Sequence, residues 1–401
     1  MVDVNLFPGE EISFESDQPS PGRKVSEKYA NERYAQGSVR IVTEQARYPL
    51  SQIPSMAKSD DYILDPEFQR RHRWDSEKKS RLIESIIINV PIPPIFLYEV
   101  GYAKFEVMDG LQRMTAITEF YDGKFALEGL TEWPELNGFR HHELPDAIKR
   151  GIDRRYLSSI VLLQETAKDK REAQRLKQLV FERINSGGVK LSDQESRNAI
   201  YDGPMNRACI ALSRLPALCK TWGIPEPDEE ELVLGTPRPE VRENQNYMKM
   251  DDVELVLRFF AYRQRIKNQD GALKPFLDAY LQKSNLFRGS VIDHLSSLFR
   301  ETITLAYEIF GESAFYLYRE RTTGWSWYKR PTTAIYDPMM FCLSQNIEFS
   351  KAFVALKDDI SNALVGFYTE NYADFQGRYT NRENLRRRNK LFMDFFEEFK
   401  N

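Results

Sequence analysis

Histidine and cysteine are scarce in this chain, four and three among 401 residues. The cysteines Cys209, Cys219 and Cys342 show no metal-ligand spacing, and an odd number suits a reducing interior. The histidines His72, His141, His142 and His294 are too few and too scattered for a histidine-based metal site or a Ser-His-Asp set. Net charge is also small: 56 Lys and Arg against 60 Asp and Glu leave a formal -4. That balance excludes a polycation built to coat nucleic acid, so any nucleic-acid contact must come from a local patch. No apolar run reaches membrane-spanning length, and the N-terminus lacks a signal-peptide pattern. We therefore expect a cytoplasmic protein with no membrane partner.

The remaining composition is that of a globular chain long enough for two or three domains. Residues 1–40 are polar and carry Pro19-Ser20-Pro21-Gly22, which reads as a partly disordered arm docked at Leu6–Phe7 or Ile12–Phe14. Between 41 and 166 short apolar runs alternate with helical patterns. Strands are expected at 39–43, 62–64, 95–98, 103–108, 124–127 and 156–163, and helices at 51–58, from Asp75, at 110–121 and at 143–150. From 167 to 401 helix signals dominate, interrupted by a Pro-, Glu- and Gly-rich loop at 223–246. The fold class is α+β: a mixed α/β domain at 41–166 followed by an all-α domain at 167–401.

Three polar blocks stand out. The first is Gln69-Arg70-Arg71-His72-Arg73-Trp74, just before a helix that Asp75 can cap. Guanidinium forks suit phosphates and carboxylates, and tryptophan offers a stacking face. The same residues also suit surface ion pairs and a core tryptophan. The second is Asp109-Gly110-Leu111-Gln112-Arg113, where a strand breaks into a helix. A helix N-terminus favours an anion, and here a carboxylate, an amide and a guanidinium surround it. The plainer alternative is that Asp109 caps the helix and Gly110 makes the turn. The third is Phe181-Glu182-Arg183-Ile184-Asn185-Ser186-Gly187-Gly188, ahead of Ser192-Asp193-Gln194-Glu195. Asn185, Gly187 and Gly188 suit a C-cap or an anion-holding nest. A capping box accounts for Ser192 and Glu195 and leaves Arg183, Asn185, Arg197 and Asn198 to be explained. The Walker A spacing is absent.

Two further clusters read as structural. Arg382 and Arg386-Arg387-Arg388 suit a solvated helix face. Trp325, Trp327, Tyr328, Lys329 and Arg330 form an aromatic and basic loop suited first to interface or core packing, with stacking on single-stranded nucleic acid as the alternative.

The three blocks occur in an order that resembles the N-terminal-domain family of GmrSD-type restriction endonucleases, within the ParB/sulfiredoxin-like superfamily. The residues that carry the resemblance are Phe68-Gln69-Arg70 with Trp74, Leu82-Ile83-Glu84-Ser85-Ile86 with Pro91-Ile92-Pro93-Pro94, Val107 to Arg113 with Thr115, and Phe181 to Gly188 with Leu191 and Glu195. Met250 to Phe259 fits members with a helical extension. The hallmark of the family is an Asp-Gly-Gln-Gln-Arg turn, in which Leu111 here replaces the first glutamine.

The resemblance implies a ParB/sulfiredoxin-like fold for the first domain, and a nucleoside triphosphate bound and hydrolysed at the turn to control DNA cleavage in phage defence. It implies catalytic roles for Asp109, Gln112 and Arg113. It implies phosphate or nucleotide contacts by Gln69, Arg70, Arg73, Trp74, Gly110, Arg113, Arg183, Asn185, Gly187 and Gly188. Asp109 is the expected ligand of a Mg²⁺ ion. No His-Asn-His arrangement exists here, so the chain reads as a stand-alone member, with a nuclease of that type supplied by another chain or not involved. DNA, reached directly or through that nuclease, and a second copy of the chain are the other expected partners. The alternatives are a ParB-like metal-dependent nuclease, with Asp109 joined by Glu67 or Glu106, and a non-catalytic DNA-binding adaptor.

Overall fold

A computed structural model describes residues 4–14, 26–35, 42–64, 74–163, 170–184, 192–234, 237–268, 272–322, 324–375 and 382–400. The chain divides into two compact units, one at 19–190 and one formed by 1–18 with 191–401. It is an α+β protein, with a five-stranded mixed sheet in the first unit and mostly helices in the second.

The first unit begins with helix α1 (Glu27–Ala35). Its sheet contains β1 (Thr43–Pro49), β2 (Tyr62–Ile63), β3 (Ile95–Gly101), β4 (Lys104–Asp109) and β5 (Tyr156–Leu162), in the order β1-β5-β3-β4-β2. β1 and β5 are antiparallel, as are β3 and β4, whereas β3 runs parallel to β5 and β2 parallel to β4. The central strand β3 is rich in β-branched and aromatic residues, which suit a pleated buried surface. Ile95 and Leu97 alternate into one core with Val107, Leu157 and Val161. Helices α2 (Ile53–Lys58), α3 (Ser76–Ile87), α4 (Leu111–Tyr121) and α5 (Asp146–Asp153) complete that core with Ile53, Ile83, Ile86, Met114, Ile117, Phe120 and Ile152.

The ends of α3 follow from its sequence. Asp75 caps it, accepting from the Lys78 N–H at 2.8 Å. Asn89 adopts φ +62 just beyond it, and Pro91 prevents continuation. Within α3, buried Glu84 accepts from the N–H groups of Glu132 (2.8 Å) and Trp133 (3.0 Å). One carboxylate thereby pins the loop after α4. Burial opposes the Glu84 charge, but backbone donation from Trp133, Glu132 and Thr131 outweighs it and lowers the carboxyl pKa. Helix α6 (Lys170–Ile184) buries Leu176 and Phe181, and its Lys177 Nζ holds Glu106 of β4 at 2.6 and 2.7 Å.

Two strand expectations need correction. The first strand is Thr43–Pro49 rather than 39–43; residues 39–41 lie outside the described residues. The strand Thr-Glu-Gln-Ala-Arg-Tyr-Pro is a polar edge strand, and edge strands need little hydrophobic patterning. Residues 124–127 form no strand. Phe125 and Leu127 are buried, but the Leu127 backbone bonds with Phe139 and Gly138 in a loop. The compact unit extends to 190, so α6 groups with the sheet although the composition changes near 166.

In the second unit, α7 (Asp193–Ile200), α8 (Pro204–Leu212) and α9 (Pro216–Trp222) come first. The stretch expected to be a loop at 223–246 holds short helices α10 (Glu229–Leu234), α11 (Pro239–Glu243) and α12 (Gln245–Met248). The long helices α13 (Asp251–Asn268), α14 (Leu273–Ser284) and α15 (Gly289–Phe310) follow. The expected aromatic loop is instead a hairpin, β6 (Leu317–Arg321) with β7 (Gly324–Tyr328). The last helices are α16 (Thr333–Gln345), α17 (Ser350–Ala355), α18 (Lys357–Phe375) and α19 (Arg382–Glu397). Val256, Phe260, Phe299, Ile303, Met339 and Phe392 are all fully buried here.

Residues 4–14 pack into this unit. Phe7 stacks on His294 and Phe14 on Phe276. Glu10, wholly buried, forms a bidentate pair with Arg263 at 2.7 and 3.1 Å. Arg388, read as part of a solvated face, is buried: its Nε donates to the Asp374 carbonyl at 2.7 Å. Its neighbours Arg386 and Arg387 are exposed, because each residue of a helix is turned about 100° from the one before it.

Candidate anion site at a strand-to-helix turn

The turn after β4 is shaped by a bulge and a glycine. Leu97 of β3 faces Val107 and its neighbour Phe96 faces Asp109, so Met108 is an extra residue in the ladder. Val107 and Met108 are consequently both buried, and Asp109 is re-aimed at the end of the strand. Gly110 then adopts φ +98. A Cβ there would lie 2.3 Å from Ile95 Cγ2 and 2.9 Å from Ile95 Cβ. Backbone conformation and packing therefore both require glycine.

Gly110 is also the residue that opens α4, and no side chain among the described residues caps this end. Met114 donates its N–H to the Gly110 carbonyl at 3.0 Å. The N–H groups ahead of it have no acceptor within the helix and carry the positive end of its dipole. Asp109 is not the cap. Its Oδ2 accepts from Arg113 Nη2 at 2.8 Å, four residues on. Arg113 Nη2 also donates to the Pro94 carbonyl at 3.3 Å, while buried Nε has no acceptor among the described residues. The Arg113 side chain is 13% exposed and that of Asp109 38%. A guanidinium thus lies under the turn and a carboxylate at its open edge.

Gln112 and Leu111 divide the remaining roles. Gln112 Oε1 accepts from the Trp74 N–H at 3.1 Å, which ties the start of α3 to the start of α4. The Trp74 ring packs against the core. Leu111 is 9% exposed and belongs to the core with Met114 and Ile117.

The structure brings together Trp74, Asp109, Gly110, Gln112 and Arg113. Glu67, Gln69, Arg70, Arg73, Asn185, Gly187 and Gly188 lie outside the described residues. Arg183 sits exposed in the last turn of α6. Arg197 and Asn198 find a structural explanation in the second unit. Arg197 is buried between Glu254 at 2.8 Å and Asp278 at 2.7 Å, and Asn198 accepts from Gln194 at 2.9 Å. The capping box forms as expected, with Glu195 N–H donating to Ser192 Oγ at 3.1 Å. Sequence reasoning missed the Pro94 carbonyl and Ile95 beneath the turn. The Pro-Pro run before β3 was a signal for them, because proline is a fixed acceptor with no N–H of its own.

The chemistry open to a metal here is narrow. Among the described residues no three His, Cys, Asp or Glu side chains gather as a metal site. Glu106, a carboxylate that a nuclease reading would pair with Asp109, is held by Lys177. Asp109 alone offers an oxygen that Arg113 does not use. One carboxylate suits Mg²⁺ that arrives on phosphate oxygens, and does not suit an all-protein cage.

The class defined here is an α+β domain whose mixed sheet delivers an Asp-Gly-x-Gln-Arg turn onto a helix N-terminus that no side chain among the described residues caps. Residues 50–201 match the family model described as GmrSD restriction endonuclease, N-terminal domain. No curated protein and no solved structure matches the chain. Among the described residues no helix is long and apolar enough to cross a membrane.

Proposed function

We propose that this chain is a component of a DNA-restriction or phage-defence system, and that its turn at 109–113 binds the phosphates of a nucleoside triphosphate to control cleavage. The family match over 50–201 supports the first part. One observation carries the second: the Gly110 turn leaves the α4 N-terminus without a side-chain cap among the described residues, beside the mostly buried Arg113 guanidinium. Phosphate oxygens accept from such N–H groups and from a guanidinium fork. Asp109 would hold Mg²⁺ together with those oxygens, and the ion would offset phosphate charge. Gln112, whose Oε1 accepts from the Trp74 N–H, would orient the ligand or a water. Hydrolysis would follow from a water placed by Asp109 or Gln112, and DNA cleavage from a partner nuclease.

The test is nucleotide binding by calorimetry with Mg²⁺, followed by phosphate release, for wild type, Arg113→Ala and Asp109→Ala. We expect wild type to bind at least one triphosphate and Arg113→Ala to bind it about tenfold or more weakly, the usual loss of a charge-assisted pair. Wild type that binds no triphosphate, or Arg113→Ala that binds as wild type does, overturns the proposal.

A further inference from the structure

The hairpin of the second unit borders a cavity of about 590 Å³. Its lining includes Arg319, Arg321, Tyr328, Thr332, Tyr372 and Phe375. Arg319 and Arg321 are two residues apart on β6, so both point to one face of the hairpin. Across the ladder they oppose Ser326 and Gly324. Those residues are small, and a Cβ at Gly324 would meet nothing within 4 Å. Both guanidinium groups lie over the Tyr328 ring, at 4.0 and 5.8 Å. Among the described residues neither arginine forms an ion pair, and the Arg319 Nε is buried without an acceptor. Glu320, also at the cavity, accepts the Tyr372 hydroxyl through its backbone carbonyl at 3.4 Å, and among the described residues its carboxylate forms no ion pair with either arginine.

The buried Arg319 Nε donor is costly unless something accepts from it. We infer that this cavity binds a nucleoside phosphate, with the phosphate on Arg319 and Arg321 and the base against Tyr328 and Tyr372. Paired guanidiniums recognise phosphate through forked hydrogen bonds, and aromatic faces stack on any base. The volume lies in the range of small-molecule sites and far exceeds the need of a bare phosphate. A free nucleotide and a nucleotide of a DNA strand share this chemistry.

The experiment uses the full chain carrying Arg113→Ala, which removes the phosphate ligand proposed for the turn. Calorimetric titrations with ATP and with a short single-stranded oligonucleotide are compared, with and without Arg319→Gln and Arg321→Gln together. We expect one class of binding, weakened about tenfold or more by the paired substitution, as for other charge-assisted pairs. Binding of ATP assigns a free nucleotide, and binding of the oligonucleotide alone assigns a strand. The paired variant Arg319→Lys with Arg321→Lys keeps charge and ring contact but loses the fork. It is expected to stay folded and still bind more weakly, so a failure of the Gln pair to fold leaves the test intact. The inference is overturned if neither probe binds, or if both pairs of substitutions leave binding unchanged. If the turn reading fails instead, wild type and Arg113→Ala bind ATP alike, and the losses at Arg319 and Arg321 still appear.

Discussion

Replacing Gly110 with alanine tests how the turn is built. Two costs are separable. The first is backbone: an L-residue held at positive φ costs about 1–2 kcal/mol. The second is packing: the new Cβ would stand 2.3 Å from Ile95 Cγ2, in a strand whose Ile95 is fully buried. Forcing one extra carbon into a filled core costs about 1–3 kcal/mol. Gly138→Ala supplies the control. Gly138 also has positive φ, at +90, but its Cβ would meet nothing within 4 Å. It therefore carries only the backbone cost. With about 2–4 °C of melting temperature per kcal/mol for a unit of this size, Gly138→Ala should lower the transition by about 2–8 °C and Gly110→Ala by about 4–20 °C. Scanning calorimetry of the full chain measures both. The Cβ would also lie 3.0 Å from Arg113 Nη2, so Gly110→Ala should displace the guanidinium and weaken triphosphate binding. Equal melting temperatures for the two variants would refute the claim that Ile95 makes glycine obligatory.

Three further outcomes follow from other buried groups. Leu111→Gln restores the hallmark residue of the family but puts an amide in the core. It should cost about 1–3 kcal/mol in urea unfolding without raising nucleotide affinity, and tighter binding would show that this position touches ligand. Glu84→Gln weakens the carboxylate that pins residues 131–133 and should cost about 1–2 kcal/mol at neutral pH. The folded-state pKa of Glu84 lies below the ordinary 4.5, so its contribution is present above that pH and is lost as pH falls through the lowered value. Wild type and Glu84→Gln should therefore converge in stability on acidification, and a constant gap down to low pH would contradict this. Glu10→Ala leaves Arg263, 2% exposed, without its partner, and should destabilise the second unit by about 3–5 kcal/mol in denaturant titration.

The legible parts of this fold are those where local chemistry acts alone. The β3 run Ile95-Phe96-Leu97-Tyr98 and the Asp75 cap of α3 needed no partner to be recognised. Elements whose identity depends on neighbours were misread. β1 is polar and exists because β5 pairs with it, and Phe125 and Leu127 look like a strand but enter the core from a loop. The β6–β7 hairpin was hidden because its alternation does not separate apolar from polar residues: Trp325 and Trp327 pack against Tyr372 and Tyr368, while the arginines face the other way with Leu317 and Tyr328. At the candidate site the residue types were legible and their wiring was not. Arg388 shows the same limit, since a run of three arginines gives no sign of which one turns inward.

Asp109 illustrates why wiring decides function. As an N-cap it would satisfy the first turn of α4, and its loss would cost stability. It instead pairs with Arg113 at a partly exposed position, where an i,i+4 ion pair contributes about 0.3–0.5 kcal/mol. Asp109→Asn should therefore leave stability almost unchanged. Its effect on ligand should depend on metal. Without Mg²⁺ the substitution removes a negative charge that competes with phosphate for Arg113, so triphosphate should bind more tightly. With Mg²⁺ it removes the carboxylate that would hold the ion, so binding should weaken. Calorimetry with and without Mg²⁺ reads both signs. A loss of about 1 kcal/mol or more in stability would restore the capping role. The same change in affinity under both conditions would remove Asp109 as the metal ligand while leaving Arg113 as the phosphate ligand.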